Sequence, residues 1–234
     1  MSVKLLMVGR RRAGQTLDEH RRHMRNRHGA DVLAYIAEDP DNAPRRYVQN
    51  HVFDGCFSAG DPAHGPFALG LDFVTELWFP DLAAIVASRQ TDFYLRRLQP
   101  DEDMMVDQDR VLGLPALELD APPAALAPAV KVFALLGGEA GARAELINAL
   151  GSLGDAELPH LHRVRSVALR DGPVDAVDTF WLPDATAAQM FCTTYREQML
   201  SPLRSSGLLR PDGACLLIAH EYVLHAGDAA LKGR

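Results

Sequence analysis

A chain of 234 residues and 25.6 kDa that is 47% hydrophobic has the apolar content for one large core or two small ones. A formal net charge of −7 and a pI near 5.7 exclude the broad Lys/Arg surplus that a nucleic-acid binder needs to neutralise phosphates. No run approaches the roughly 20 apolar residues of a membrane span, and Met1 to Lys4 lead into a strand pattern instead of a secretory leader. The expectation is a cytoplasmic protein with neither membrane nor nucleic acid as partner. Cys56, Cys192 and Cys215 are far apart and form no CxxC pair, so they supply neither a disulfide framework nor a zinc site.

In chain order, Val3 to Val8 reads as a short apolar strand and Gly9 to Gly14 as a basic turn. Thr16 followed by Glu19 is a capping box that opens a helix rich in His and Arg, and Gly29 offers a stop. At about 100° per residue, Leu17, His20, Met24 and His28 share one face, while Arg21, Arg22, Arg25 and Asn26 fall mostly away from it. Glu38 to Pro44 has loop composition, and Arg46 to Phe53 is a strand. Period-two alternation puts Tyr47, Gln49, His51 and Phe53 on one side of it and Val48, Asn50 and Val52 on the other. A helix packed on this strand would bring His28 near His51 or Asn50. Asp54 to Leu71, rich in Gly and Pro, is a long connection that could cover a pocket mouth. Phe73 to Phe79 is a strand, Pro80 and Asp81 start a helix, and Asp92 to Leu98 is a further helical piece. Asp101, Glu102 and Asp103 read most simply as a solvated acidic turn before a broken strand, Arg110 to Leu119.

After a Pro/Ala linker over 121–129 the pattern repeats: a strand at Val130 to Leu136, a helix at Gly141 to Leu150, strands at His162 to Arg170 and Val174 to Leu182, a helix opened by Pro183 and Asp184, and a last strand at Gly213 to Leu224. Leu77 to Asp81 and Phe180 to Asp184 share an aromatic pair followed by Pro-Asp. Two β-α-β-β-α-β units give an α+β fold of two tandem ferredoxin-like sheets, residues 1–120 and 130–234. Each sheet has an uncovered apolar face, so the economical solution packs them sheet to sheet as a barrel within one chain.

Arg25 to Gly29 after the capped helix start, Tyr47 to Val52, and Glu76 to Phe79 together resemble the EthD family of the dimeric α+β barrel superfamily over about the first half of the chain. The second half resembles it only in element order and in Trp181 to Asp184. It has no counterpart of Arg27, His28 and Gly29, so it reads as a degenerate copy and the site belongs to the first unit. The resemblance implies a small-molecule enzyme without a bound cofactor, since related barrels include polyketide cyclases, lactone isomerases, dehydratases, decarboxylases and cofactor-free monooxygenases. His20, His23 and Met24 stand where the family usually has aromatic residues, which implies a more polar pocket.

On this reading His28 and His51 are the acid and base of a cofactor-independent lyase, isomerase or cyclase acting on an aromatic, polyketide-like or lactone substrate. Asn50, Tyr35 and Tyr47 would orient an enolate, and His20 and Trp78 would line the pocket. The bland alternative has His28 capping its helix and His51 satisfied in the core. The rival functions are a ligand-binding or stress-associated barrel and a cofactor-free or haem-dependent monooxygenase. His20 and His23 have a chelating spacing, but their directions about the helix differ, so no metal is assigned. The arginines Arg10 to Arg12, Arg21, Arg22, Arg25 and Arg27 would attract an anion or simply pair with acidic neighbours. Cys56 is more simply a small apolar filler than a nucleophile. The expected partner is a small-molecule substrate, with room for a homodimer of the whole chain.

Overall fold

The computed structural model describes residues 2–57, 70–121, 123, 130–152 and 158–227, with the side chains of Cys56 and Phe57 left aside. Most of the long connection after Asp54, most of the Pro/Ala linker, and the Cys56 side chain therefore lie outside the described residues.

The elements run β1 (Val3–Gly9), α1 (Leu17–His23), α2 (Gly29–Glu38), β2 (Arg46–Phe57), β3 (Phe73–Phe79), α3 (Leu82–Ser88), α4 (Gln99–Met105) and β4 (Leu112–Glu118). They continue as β5 (Val130–Gly138), α5 (Arg143–Ser152), β6 (His162–Ala168), β7 (Ala176–Leu182), α6 (Ala185–Tyr195), α7 (Ser201–Ser205) and β8 (Leu209–His225). This is β-α-β-β-α-β written twice, the tandem ferredoxin-like order expected. The strands follow one another as β1-β3-β2-β8-β5-β7-β6-β4 in a closed barrel within the single chain, and the neighbouring strands in register are antiparallel. Among the described residues no helix is long and apolar enough to cross a membrane.

Local chemistry sets the helix starts. The Thr16 hydroxyl accepts from Glu19 N–H while Glu19 Oε2 accepts from Thr16 N–H, a reciprocal cap that satisfies two otherwise unpaired amides. Asp81 and Asp184 each cap the third amide of their helices at 2.8 Å, as the shared Pro-Asp pairs suggest. Gly29 does not stop its helix: its φ is −59° and the chain stays helical to Glu38. A Cβ at Gly29 would meet Leu224 Cδ1 at 3.0 Å and the Met24 carbonyl at 3.1 Å, so the glycine serves close packing, not termination.

π turns interrupt the helices. Met24–His28 links α1 to α2, with the Gly29 amide reaching back five residues to Met24 O; Tyr94–Leu98 leads into α4, and Arg196–Leu200 links α6 to α7. The last two are repeat-related, since each ends in a leucine with a proline two residues on. The next residue is Asp101 in the first repeat and Leu203, part of an apolar core, in the second.

By contacts the chain forms two compact units, Met1–His51 with Leu71–Pro115 and Tyr222–Arg234, and Val52–Gly70 with Ala116–Glu221. In the first, α2 packs Val32 and Tyr35 against Tyr47, Tyr94 and Leu98, while Met24, Phe73, Met105 and Val106 form a second cluster. In the second, Val132, Ala134, Phe180, Phe191, Tyr195 and Leu216 belong to one continuous core. Buried side chains of this kind each contribute roughly 1.5–3 kcal/mol. The same cross-strand pair recurs in both units: Lys4 lies opposite Trp78 and Lys131 opposite Trp181, each ammonium over its indole and bonded to a carboxylate, Glu76 or Glu221, at 2.8 Å.

Candidate functional site

The site is built from α1, the π turn after it, and α4. Regular helical geometry would put His23 and His28 about 140° apart. The π turn between them closes that angle, and both imidazoles reach the same carboxylate. Asp101, 3% exposed, engages His23 Nε2 at 2.8 Å through Oδ1, which also forms an ion pair with Arg27 Nε at 3.0 Å, and His28 Nδ1 at 3.1 Å through Oδ2. Burial by itself would raise the Asp101 carboxyl, but the bonds from His28 and His23 outweigh it and hold the group below its ordinary value. A charged Asp101 fixes the His28 tautomer: the proton sits on Nδ1, and Nε2 keeps its lone pair.

That ring lines a cavity of about 90 Å³ within the first unit, enclosed by Met24, Val32, Leu77, Phe73, Leu98 and Met105 among others. At roughly 10–15 Å³ per water, the space is on the scale of several waters or one small ring. Its polar lining is sparse. Tyr47 is fully buried, and its hydroxyl accepts from Gln49 Nε2, which leaves the phenolic proton without an acceptor among the described residues. Burial pushes this phenol above its ordinary range, against the Gln49 bond, so it stays protonated. The Tyr35 hydroxyl is spent on Ser88, at 3.2 Å from both its carbonyl and its Oγ. The Tyr94 hydroxyl donates to Glu102 Oε2 at 2.8 Å, and burial followed by the Glu102 charge pushes that phenol up. Arg89 and Gln108 are the exposed lining residues and mark the mouth.

Of the residues singled out in the sequence, His28, Tyr35 and Tyr47 line this cavity; His51, Asn50, His20 and Trp78 are not among its lining. His51 is on the expected face of β2, but its Nε2 lies 3.3 Å from Gln49 Oε1 and its ring packs on Tyr222 with centroids 4.7 Å apart. Its link toward the cavity wall runs to Gln49, which donates to the Tyr47 hydroxyl and to the Met24 carbonyl, the latter at 2.7 Å. Asn50 projects to the other side of β2, where it donates to Val74 O at 2.9 Å and Glu76 Oε1 at 3.0 Å. Trp78 lies under Lys4 and Arg46. His20 is fully buried beside Phe73 with Nδ1 at 3.1 Å from Met105 O, and burial lowers it to about 4 against the pull of Asp72.

His20 and His23 thus turn to different partners, and no group of three or more His, Cys, Asp or Glu among the described residues is placed to hold a metal. The basic cluster pairs largely with acidic neighbours: Arg11 with Asp72, Arg10 with Asp107, Arg22 with Asp18 and Arg27 with Asp101. The acidic turn expected at Asp101 is instead the first turns of α4, and its leading carboxylate is the residue that sequence reasoning missed. The signal available was its position after the helical run from Asp92, which places it on the buried face with Tyr94 and Leu98 at three- and four-residue spacing.

Residues 12–109 match the EthD domain. No curated protein matches the sequence. Among solved structures, an anthrone oxidase-like protein superposes with a TM-score of 0.58 at 9% identity, over 95% of this chain and 93% of that one. A monooxygenase candidate from Fusobacterium nucleatum gives 0.55 at 6% identity, over 97% and 94%. A chlorite dismutase candidate gives 0.51 at 11% identity, over 99% of both. At these identities the likeness is one of fold. The three motifs of the first repeat and the barrel order agree with the EthD match over residues 12–109.

Proposed function

We propose that the first-unit cavity is a proton-transfer site in which His28 serves as base and then acid on a small enolisable molecule, giving cofactor-independent lyase, isomerase or cyclase chemistry on a single-ring aromatic, polyketide-like or lactone substrate. The reading rests on one observation: Asp101 engages His28 Nδ1 while the same ring lines an otherwise mostly apolar cavity. Nε2 takes a C–H proton, and the bond's electrons move onto the neighbouring carbonyl oxygen. Asp101 stabilises the imidazolium so formed, and His28 returns the proton at another atom. The uncommitted Tyr47 O–H is the donor for the enolate oxygen.

The test is deuterium incorporation from D₂O into single-ring lactones and cyclic enones, followed by NMR. His28→Ala is expected to slow exchange by about two to four orders of magnitude. Exchange unchanged in that variant would end the proposal, and saturable binding without exchange would support the ligand-binding barrel instead. The fold neighbours named for oxidase and monooxygenase activity favour a second reading, in which the carbanion formed by His28 reacts with O₂. Oxygen uptake with the same substrates separates the two. None of the proposed steps runs through haem.

A further inference from the structure

We infer that the molecule this cavity takes is a compact carboxylate, its ring inside and its anionic group at the mouth against Arg89; this rests on the cavity being the binding site, as proposed above. Arg89 is the arginine of the cavity lining, and its pairing differs from that of several arginines nearby. Arg11, Arg27 and Arg97 in the same unit each hold a carboxylate at 2.5–3.0 Å. Arg89 holds none among the described residues: its contacts there are Met7 Sδ at 3.5 Å and the Tyr94 ring, 5.6 Å from the guanidinium carbon. Yet it is a lining residue and an exposed one, so its five donors stand where the cavity meets solvent. An arginine laid over an aromatic face is pre-oriented, and its planar fork matches a carboxylate in a way an ammonium does not.

Glu102, the anion of the lining, does not cancel this cation. It lies outside ion-pair reach of Arg89 and accepts the Tyr94 hydroxyl, so Tyr94 stands between the two charges, its ring against Arg89 and its oxygen against Glu102. Beyond His28, the neutral polar groups such as Tyr47 and Thr75, and these two charges, the wall is mainly Met, Leu, Val and Phe, which favours an apolar body over a second charge. The exposed Arg89 is at the rim of this cavity, which is where a carboxylate substituent would meet it.

Benzoate and its neutral isostere benzamide are the probes, with affinities read by titration calorimetry on the full chain. The expected result is benzoate binding about tenfold more tightly than benzamide, a preference that weakens with salt and disappears in Arg89→Gln. His28→Asn removes the base but not the guanidinium, so it keeps the preference while losing exchange. Equal affinity for the two probes, no benzoate binding, or a preference that survives Arg89→Gln would overturn the inference. Failure of exchange with the preference intact would strike the proton-transfer reading and leave the anion site standing.

Discussion

Asp101→Asn tests the site most directly, because the structure dictates how the amide must sit. The carboxylate uses both oxygens, Oδ1 for His23 and Arg27 and Oδ2 for His28. An amide has one acceptor oxygen. It keeps two donors by leaving that oxygen toward His23 and Arg27, and its NH₂ then faces His28 Nδ1. To accept from it, His28 must move its proton to Nε2, and the lone pair leaves the cavity. Losing the base form in this way is expected to lower turnover on the order of 10²–10⁴-fold. Exchanging one charge-assisted bond for a neutral one costs about 1–3 kcal/mol of stability. Long-range ¹⁵N–¹H correlation of the imidazoles reads the tautomer itself, which a general loosening of the fold would not invert. If His28 keeps its proton on Nδ1 in this variant, or turnover is unchanged, the reasoning is refuted.

Three further outcomes follow from the same geometry. His20 is neutral when folded and protonates near 6.5 when unfolded, so its contribution is intact above pH 6.5 and is lost as pH falls toward about 4, amounting to about 2 kcal/mol by pH 5. His20→Asn retains a donor for the Met105 carbonyl but does not titrate, so urea unfolding should show the stability gap to wild type narrowing by that amount from pH 7 to 5; a constant gap would contradict the burial argument. His51→Ala should slow exchange by about tenfold or less, far below the His28→Ala effect, because His51 acts on the cavity through Gln49; equal losses would place His51 in the chemistry. Gly29→Ala raises helix propensity by about 1 kcal/mol yet crowds the Met24 carbonyl and Leu224, and thermal or urea unfolding is expected to show a net loss of about 1 kcal/mol, with a net gain counting against the close-packing role.

The fold was legible where the signal is local. The Thr16 and Glu19 cap, the Pro-Asp helix starts, the period-two strands and the repeated order all depend on neighbours within a few residues, and all are present in the structure. The shared face of His20, Met24 and His28 was likewise legible, since all three are buried. The alternation of β2 correctly separated Tyr47, Gln49 and His51 from Asn50, although it does not say which of them border a cavity. Gly29 misled because glycine marks both helix ends and close approaches, and only the neighbours a Cβ would strike tell them apart.

By itself the sequence determined the two β-α-β-β-α-β repeats, the loss of the Arg-His-Gly motif from the second, and the histidine-bearing helix of the first. Tertiary structure decided the chemistry. Asp101 lies 73 residues from His28 and 78 from His23, and a carboxylate that looks solvated in a run of acids becomes a buried acceptor only when α4 packs against the π turn. The turn itself changes the angular spacing on which helical periodicity arguments rest. Which histidine faces an open volume, and which arginine borders it, are properties of packing between distant segments, and periodicity along the chain does not encode them.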